Sequence, residues 1–513
     1  MTPRQCGPHT IGLMEAFDRR SFLIRGAALA AAASGWRLVS DAYGAVDPRL
    51  AALQRLVKGP VLVPSSPGYA QARLVYQERF DTVRPLGIVQ PVSVADVRQI
   101  VAWSKKEKVR LAIRSGGHSY AGYSTTTGVV VDLHHLGAIS LDKSSGIATI
   151  GAGARLIDIE ATLAAKGRAI PSGSGATVGI GGLALGGGIG FAARKYGTTS
   201  DNITSLGIVT ADTRYRTCSA TSNADLFWAC RGGGGGNFGI VTQFGVRTFA
   251  AAPVSFFVAT WPWVQAAEVI QAWQAFAPAA PDELFAVCYL RSGGATTPSI
   301  ECFGQFLGAQ AQLNTLLQPL SSVTGAKLTL GSFSYLDAQM RWAGCSGKTV
   351  AKCHLVGETP TGTLTRANFV AKSDYVDTPL TSAAIGTITQ WLENAQSAGF
   401  GFGSLELDPY GGAINRVPAG ATAFVHRNAL FSGQYLAHWS QPSGASAASA
   451  WLRGFYAAMR PFVSGFAYQN YIDPGLTSWK HAYYGSNYPR LQTIKSEVDP
   501  AWLFRFAQGI PPH

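Results

Sequence analysis

Several absences narrow the field before any motif is considered. Only 14% of the 513 residues are Asp, Glu, Lys or Arg, and no long block of like charge occurs. A disordered, charge-driven tail is therefore excluded. The seven cysteines form no CxxC and no Cys/His spacing of a metal centre. No segment is long and apolar enough for stable membrane insertion: the apolar stretch Val178–Ala193 is short and too dense in glycine for a stable helix. The formal charge is +13, yet Lys and Arg are scattered without a basic stripe or an aromatic platform, which argues against nucleic acid. Glycine, by contrast, is abundant, with 59 residues gathered in clusters. Clustered glycine points to backbone that approaches a ligand closely.

The length exceeds one ordinary core, so two domains are expected, or one with a large insertion. The N-terminal FDRRSFLIRGAALAAAASGW pairs Arg19 with Arg20 ahead of Phe22, Leu23 and an Ala-rich run. It resembles a twin-arginine signal peptide, so residues 1–45 are expected to direct export of an already folded protein. In an exported chain, Cys345 and Cys353 bracket a short loop and are expected to pair. The other four cysteines beyond the leader are read equally well as buried free thiols.

The stretch RPLGIVQPVSVADVRQIVAWSKKEKVRLAIRSGG predicts strand, helix and strand. Ser93 is its N-cap, and Val94, Val97, Ile100 and Val101 recur at helical spacing. GVVVDL reads as a buried strand and ATIGAGARLIDIEATLAAKG as strand, turn and helix. The first half is thus α+β with mixed sheets. From about Val254 the strands lengthen and aromatics replace glycine clusters, which marks a second domain.

Four glycine-bearing segments stand out: Arg114–Ser119, Ser172–Gly190, Arg194–Ile203 and Asp225–Thr242. None is a strand-to-helix GxGxxG with an acid following at the right distance, so a Rossmann site is not indicated. Together they offer a long backbone surface whose N–H groups can face a pyrophosphate.

These segments, with the C-terminal YQNYIDPGLTSW and YYGSNYPRLQTIKSEVDPAWLFRFAQGIPP, resemble the berberine bridge enzyme-like flavoproteins of the vanillyl-alcohol oxidase superfamily. The resemblance runs in order from Arg84 to Pro512 and is weakest in the middle. It implies an α+β fold: a two-part FAD-binding domain of the p-cresol methylhydroxylase type (46–252 and 466–513) and a central α+β substrate domain (253–465). It also implies FAD joined covalently through its 8α-methyl to His118. The cofactor would be held by Arg114, Ser115, Gly116, Gly117, Ser119, Tyr120, Thr177, Val178, Gly179, Gly181, Gly182, Gly187 and Gly188. Asp201, Asn202, Val241, Tyr468 and Asn470 complete that set.

Tyr471 maps to the catalytic aromatic hydroxyl over the flavin, with a base removing a proton as hydride passes to flavin N5. A tyrosine of pKa near 10 needs a cation or hydrogen bond to serve as that base, and the sequence does not show which. Tyr120 and Tyr123 read equally as pocket walls or as packing, and Gln508 as structural. The family's second, cysteinyl flavin link falls at Gly175, so a single link is expected. Val178 falls where the family controls oxygen access, and a valine there resembles the members that use O2. The expected activity is oxidation of an alcohol, sugar or secondary-metabolite small molecule, with O2 as acceptor and H2O2 as product. A dehydrogenase of the same fold and a non-catalytic flavin-binding protein are the competing readings.

Overall fold

The computed structural model describes residues 47–294 and 296–513. The expected twin-arginine leader, residues 1–45, lies outside these described residues.

Two small sheets form the N-terminal half. In the first, β1 (Val61–Leu62), β2 (Gly87–Val89), β3 (Leu111–Arg114) and β4 (Val129–Asp132) lie in the order β1-β2-β4-β3. β4 runs parallel to both β2 and β3. The helix between β2 and β3, Val94–Glu107, begins where Ser93 accepts from the Asp96 amide at 3.2 Å. It buries Val97, Ile100 and Val101 against the sheet, as their spacing dictates.

The second sheet is antiparallel, in the order β5-β6-β10-β8-β9. It comprises β5 (Ile139–Asp142), β6 (Ile147–Gly151), β8 (Ile203–Val209), β9 (Tyr215–Ser219) and β10 (Ile240–Arg247). A short ribbon pairs β7 (Arg168–Ala169) with β11 (Phe249–Ala250). The core shared by these sheets also takes in Ala467, Tyr483, Leu491, Ile494, Phe504 and Ile510, so the C-terminal segment folds back into the first half.

The central part is one seven-stranded antiparallel sheet, ordered β15-β12-β14-β13-β17-β18-β16. Its strands are β12 (Val254–Trp261), β13 (Leu284–Gly293), β14 (Thr296–Phe306), β15 (Lys327–Phe333), β16 (Phe369–Val376), β17 (Phe402–Pro409) and β18 (Phe431–His438). Alternation divides its two faces. Leu284, Ala286, Cys288, Leu405, Leu407, Phe431 and Tyr435 pack on the helices Ala266–Phe276, Ser382–Asn394 and Gly444–Met459. The opposite face looks toward the glycine-rich loops.

Cys345 and Cys353 are disulfide-bonded, with Cα atoms 5.9 Å apart. Cys218, Cys230, Cys288 and Cys302 are buried free thiols. No helix among the described residues is long and apolar enough to cross a membrane.

One buried ion pair ties the central part to the glycine loops. Arg427, just before β18, donates to both oxygens of Asp201 at 2.7 and 2.8 Å. Both side chains are buried, so removing one partner strands a charge. Arg427→Met should lower unfolding stability by about 3–5 kcal/mol, read from guanidinium denaturation. A loss below about 1 kcal/mol would show that Asp201 is solvated without its partner.

Candidate active site

The Arg114–Ser119 turn leaves β3 and is held from several sides. Arg114 is buried and donates to Asp132 at 2.8 Å, so it anchors the turn from beneath. The Ser115 hydroxyl donates to the Ala152 carbonyl at 2.6 Å and accepts from the Gly181 amide at 3.3 Å. Gly116 packs so tightly on the second glycine run that a Cβ there would lie 2.2 Å from the Gly179 nitrogen. Gly117 takes φ +74°, which only glycine adopts freely. The amides of Gly116, Gly117, His118 and Ser119 find no protein acceptor among the described residues.

The second run is shaped by contact with the C-terminus. The Gly188 amide donates to the Tyr468 hydroxyl at 2.7 Å. Asn470 donates to the Leu183 carbonyl at 3.0 Å and to the Tyr468 hydroxyl at 2.8 Å. A Cβ on Gly186 would meet Asn470 Oδ1 at 1.9 Å, and one on Gly187 would meet the Tyr468 hydroxyl at 3.0 Å. Gly182, by contrast, has open space around it, and Gly235 lies beside it, 3.7 Å from a built Cβ to the Gly182 Cα. Two glycine-rich segments thus meet along an uncovered backbone surface.

His118 stands at the exit of the turn. Its Nε2 lies 2.8 Å from the Thr177 hydroxyl, and its ring stacks on Tyr76 at 4.1 Å and 17°. Burial, helped by the positive charge of Arg155, pushes the imidazole pKa down to about 3. The residue as a whole is half-buried. Tyr120 and Tyr471 are stacked, 5.6 Å apart and nearly coplanar in orientation, and Tyr468 meets Tyr471 edge-on at 5.0 Å.

The remaining expected residues have other surroundings. Ser119 accepts from the Tyr123 amide at 3.1 Å, and Tyr123 packs on Phe506 at 4.9 Å. Asp201 caps the Thr199–Asn202 turn as well as holding Arg427. Asn202 donates to the Tyr196 and Thr198 carbonyls, and Val241 lies in β10 with its side chain in the core. Gln508 donates to the Asp473 and Leu476 carbonyls, a structural role.

Over the tyrosines lies the polar face of the central sheet. Strand register places Glu301, Tyr289, Glu406, Gln434 and Ser373 in one row across five strands. Gln434 donates to the Tyr120 hydroxyl at 2.7 Å, and Ser373 accepts from the Tyr468 amide at 3.0 Å. Asp408 follows Glu406 by two residues and so shares its face, about 7 Å further along β17. Burial raises Glu406 to about 7; Asp408 is driven well above the usual carboxylate range by burial and by the charge of Glu406.

Sequence reasoning did not single out Glu406, Asp408, Gln434 or Tyr289. The only signal is the alternation of Leu405 and Leu407 with two acids, which also describes a strand with one solvated face. Nor is the charge on Tyr471 what a phenolate requires. Burial raises its pKa, and the nearest charged influences, Asp408 and Glu406, raise it further. Tyr471 therefore keeps its proton at neutral pH.

These features fit FAD on structural grounds. Four unpaired amides in a row suit a pyrophosphate, Gly182 and Gly235 leave room for an extended ligand, and stacked tyrosines under a polar roof suit a planar ring.

Comparison with known proteins agrees. A family model described as FAD binding domain matches residues 85–219, and one described as Berberine and berberine like matches residues 467–511. The chain is 32% identical to the FAD-linked oxidoreductase YgaK of Bacillus subtilis, over 88% of this chain and 97% of that protein. It superposes on BBE-like 1 of Physcomitrella patens with TM-score 0.82 at 31% identity, covering 90% of this chain and 99% of that one. Two variants of the grass-pollen protein Phl p 4 match at 28% identity, covering 91% of this chain and all of theirs, with TM-scores of 0.80 and 0.81. The variant with an asparagine-to-histidine change is described as a glucose dehydrogenase. The one that adds an isoleucine-to-valine change is described as a glucose oxidase. The chain therefore belongs to the berberine bridge enzyme-like family of FAD-dependent oxidoreductases.

Proposed function

We propose that this protein is an oxidase of small-molecule alcohols, with FAD linked to His118 and dioxygen as electron acceptor. The observation that carries the reading is a carboxyl pair, half-buried Glu406 and buried Asp408, on the sheet face above Tyr471 and Tyr120. Bound FAD supplies a two-electron acceptor that takes hydride from the substrate and gives its electrons to O2 as H2O2. Everything else falls to the protein.

The Tyr471 hydroxyl has no protein partner among the described residues and is free to meet a substrate hydroxyl. Because it stays protonated, it acts as a relay by way of a bridging water: it accepts the substrate proton as it passes its own through the water toward the carboxyl pair. Two carboxyls on one strand face do not readily ionise together, since the second negative charge is disfavoured in a site shielded from water, so one stays protonated while the other accepts. Gln434 holds the Tyr120 hydroxyl, which keeps that ring parallel to Tyr471.

The single covalent link rests on His118 alone. Position 175 is glycine, and the four free thiols lie in protein cores away from the turn. Oxygen use rests on Val178, by resemblance, and on the Phl p 4 variants, where gain of a valine separates oxidase from dehydrogenase.

Acid precipitation should leave the yellow colour with the protein, and His118→Ala should release it. Colour in the supernatant of fully loaded wild type would refute the link. Glu406→Gln should lower kcat by about 10²–10⁴-fold, the usual worth of a positioned base, because Glu406 is the member of the pair that ionises first. The pair accepts a proton only while at least one member is ionised, and Glu406 loses its charge below about pH 7. Wild-type kcat should therefore fall as pH drops through 7; a flat profile from pH 5 to 8 would exclude the pair as acceptor. Each substrate oxidised in air should yield one H2O2, and Val178→Ile should suppress peroxide while dye reduction persists. Equal peroxide from both proteins would remove Val178 from oxygen control.

A further inference from the structure

The contacts of His118 carry one step more, and it rests on the proposed covalent link. The Thr177 hydroxyl, 2.8 Å from Nε2, is the hydrogen-bond partner of the ring. A hydroxyl can accept from an imidazole N–H or donate to a ring lone pair, and the nitrogen it engages here is Nε2. Nδ1 is left to meet a ligand, and it carries the lone pair when the hydrogen sits on Nε2. Stacking on Tyr76 fixes the plane of the ring, and the Tyr76 amide donates to the Gly117 carbonyl at 3.1 Å.

Arg155 acts on the same turn. Its Nη1 donates to the Ser115 carbonyl at 2.6 Å, and its Nη2 donates to Glu358 at 2.7 Å. The Ser115 carbonyl and the Gly116 N–H share one planar peptide, so holding the oxygen fixes the direction of the first unpaired amide. Arg155 is the charged group that bears on the imidazole; Tyr76 and Thr177, also packed against it, are neutral.

We propose that Thr177 and Arg155 are the positioning residues of flavin attachment: Thr177 sets the His118 tautomer that presents Nδ1, and Arg155 aligns the turn. Attachment forms one bond, from Nδ1 to the 8α-methyl carbon. One methyl hydrogen and the Nε2 hydrogen leave as protons. The two electrons released pass through the flavin to dioxygen, which takes up both protons as H2O2. Thr177 accepts the Nε2–H at the start and can donate its own hydroxyl to the bare nitrogen at the end.

The test compares wild type, Thr177→Val, Thr177→Ser and Arg155→Met, each confirmed folded by its unfolding transition. Total bound flavin is read from the visible spectrum, and attached flavin from the colour that survives acid. Purified protein is then incubated with excess FAD at pH 5 and pH 8 and the acid-stable colour followed. Thr177→Val should bind FAD yet attach it about fivefold more slowly, the worth of one hydrogen bond, and Thr177→Ser should recover. Arg155→Met should attach more slowly at both pH values, because the turn loses its alignment. In wild type, any unfilled protein should attach FAD at similar rates at the two pH values. Unchanged acid-stable flavin in Thr177→Val and Arg155→Met would overturn the inference while leaving the link intact. Loss of bound FAD in Thr177→Val and Thr177→Ser alike would also overturn it, as a plain cradle role. No acid-stable flavin in wild type would instead bring down the underlying link.

Discussion

The contact on which the rest of the site depends is the interlock of Gly186–Gly188 with Tyr468–Asn470. Asn470 occupies the space where a Gly186 side chain would be, and Tyr468 does nearly the same at Gly187. Polar atoms then close the joint: the Gly188 amide on Tyr468, Asn470 on the Leu183 carbonyl, and Gln469 on the Gly186 carbonyl. The Tyr468 amide, in turn, donates to Ser373 of the central sheet. Three chain segments, the outer two almost 300 residues apart, therefore meet at one place. Remove the glycines and neither the cofactor loop nor Tyr471 can hold its present position.

This joint explains why a sheet face carrying two acids is tolerated. Glu406 and Asp408 would be ordinary solvent-facing residues on an isolated sheet. Docking the glycine loops beneath it takes that face out of bulk water, and burial then raises both carboxyls. The apolar lining helps, since Phe191, Phe285, Phe303 and Tyr375 cluster on the same side. The fold thus creates the proposed proton acceptor by assembly. Neither the strand nor the loops would have it alone.

The division between what could and could not be read from sequence follows the same line. The helix Val94–Glu107 was legible because its cap, its apolar spacing and its flanking strands are all local. The glycine turns and Tyr468, Asn470 and Tyr471 were legible because they sit in contiguous motifs with family resemblance. Arg155 and Thr177 differ: Thr177 lay within a motif, while the arginine's partners are 40 and 203 residues away. Glu406, Asp408 and Gln434 were illegible for a stronger reason. Their importance comes from pairing across β13, β17 and β18, and a register between distant strands leaves no trace in any single stretch. The split between Asp201 and its neighbours was equally hidden, because its partner Arg427 is 226 residues on.

The protonation state of Tyr471 has a consequence for how the reaction is shared out. A phenolate base would need a cation beside it, and the site instead sets two carboxyls there. In the proposed reaction a neutral tyrosine on the substrate side lets the proton travel through the phenol and a bridging water while the negative charge stays on the carboxyls of the sheet face. The same arrangement keeps charge away from the ring face over which hydride must pass. A buried phenolate would place it in contact with substrate before the transfer begins. In the proposed reaction, proton acceptor and hydride path thus lie on different elements, the carboxyls on β17 and the phenol on the C-terminal segment.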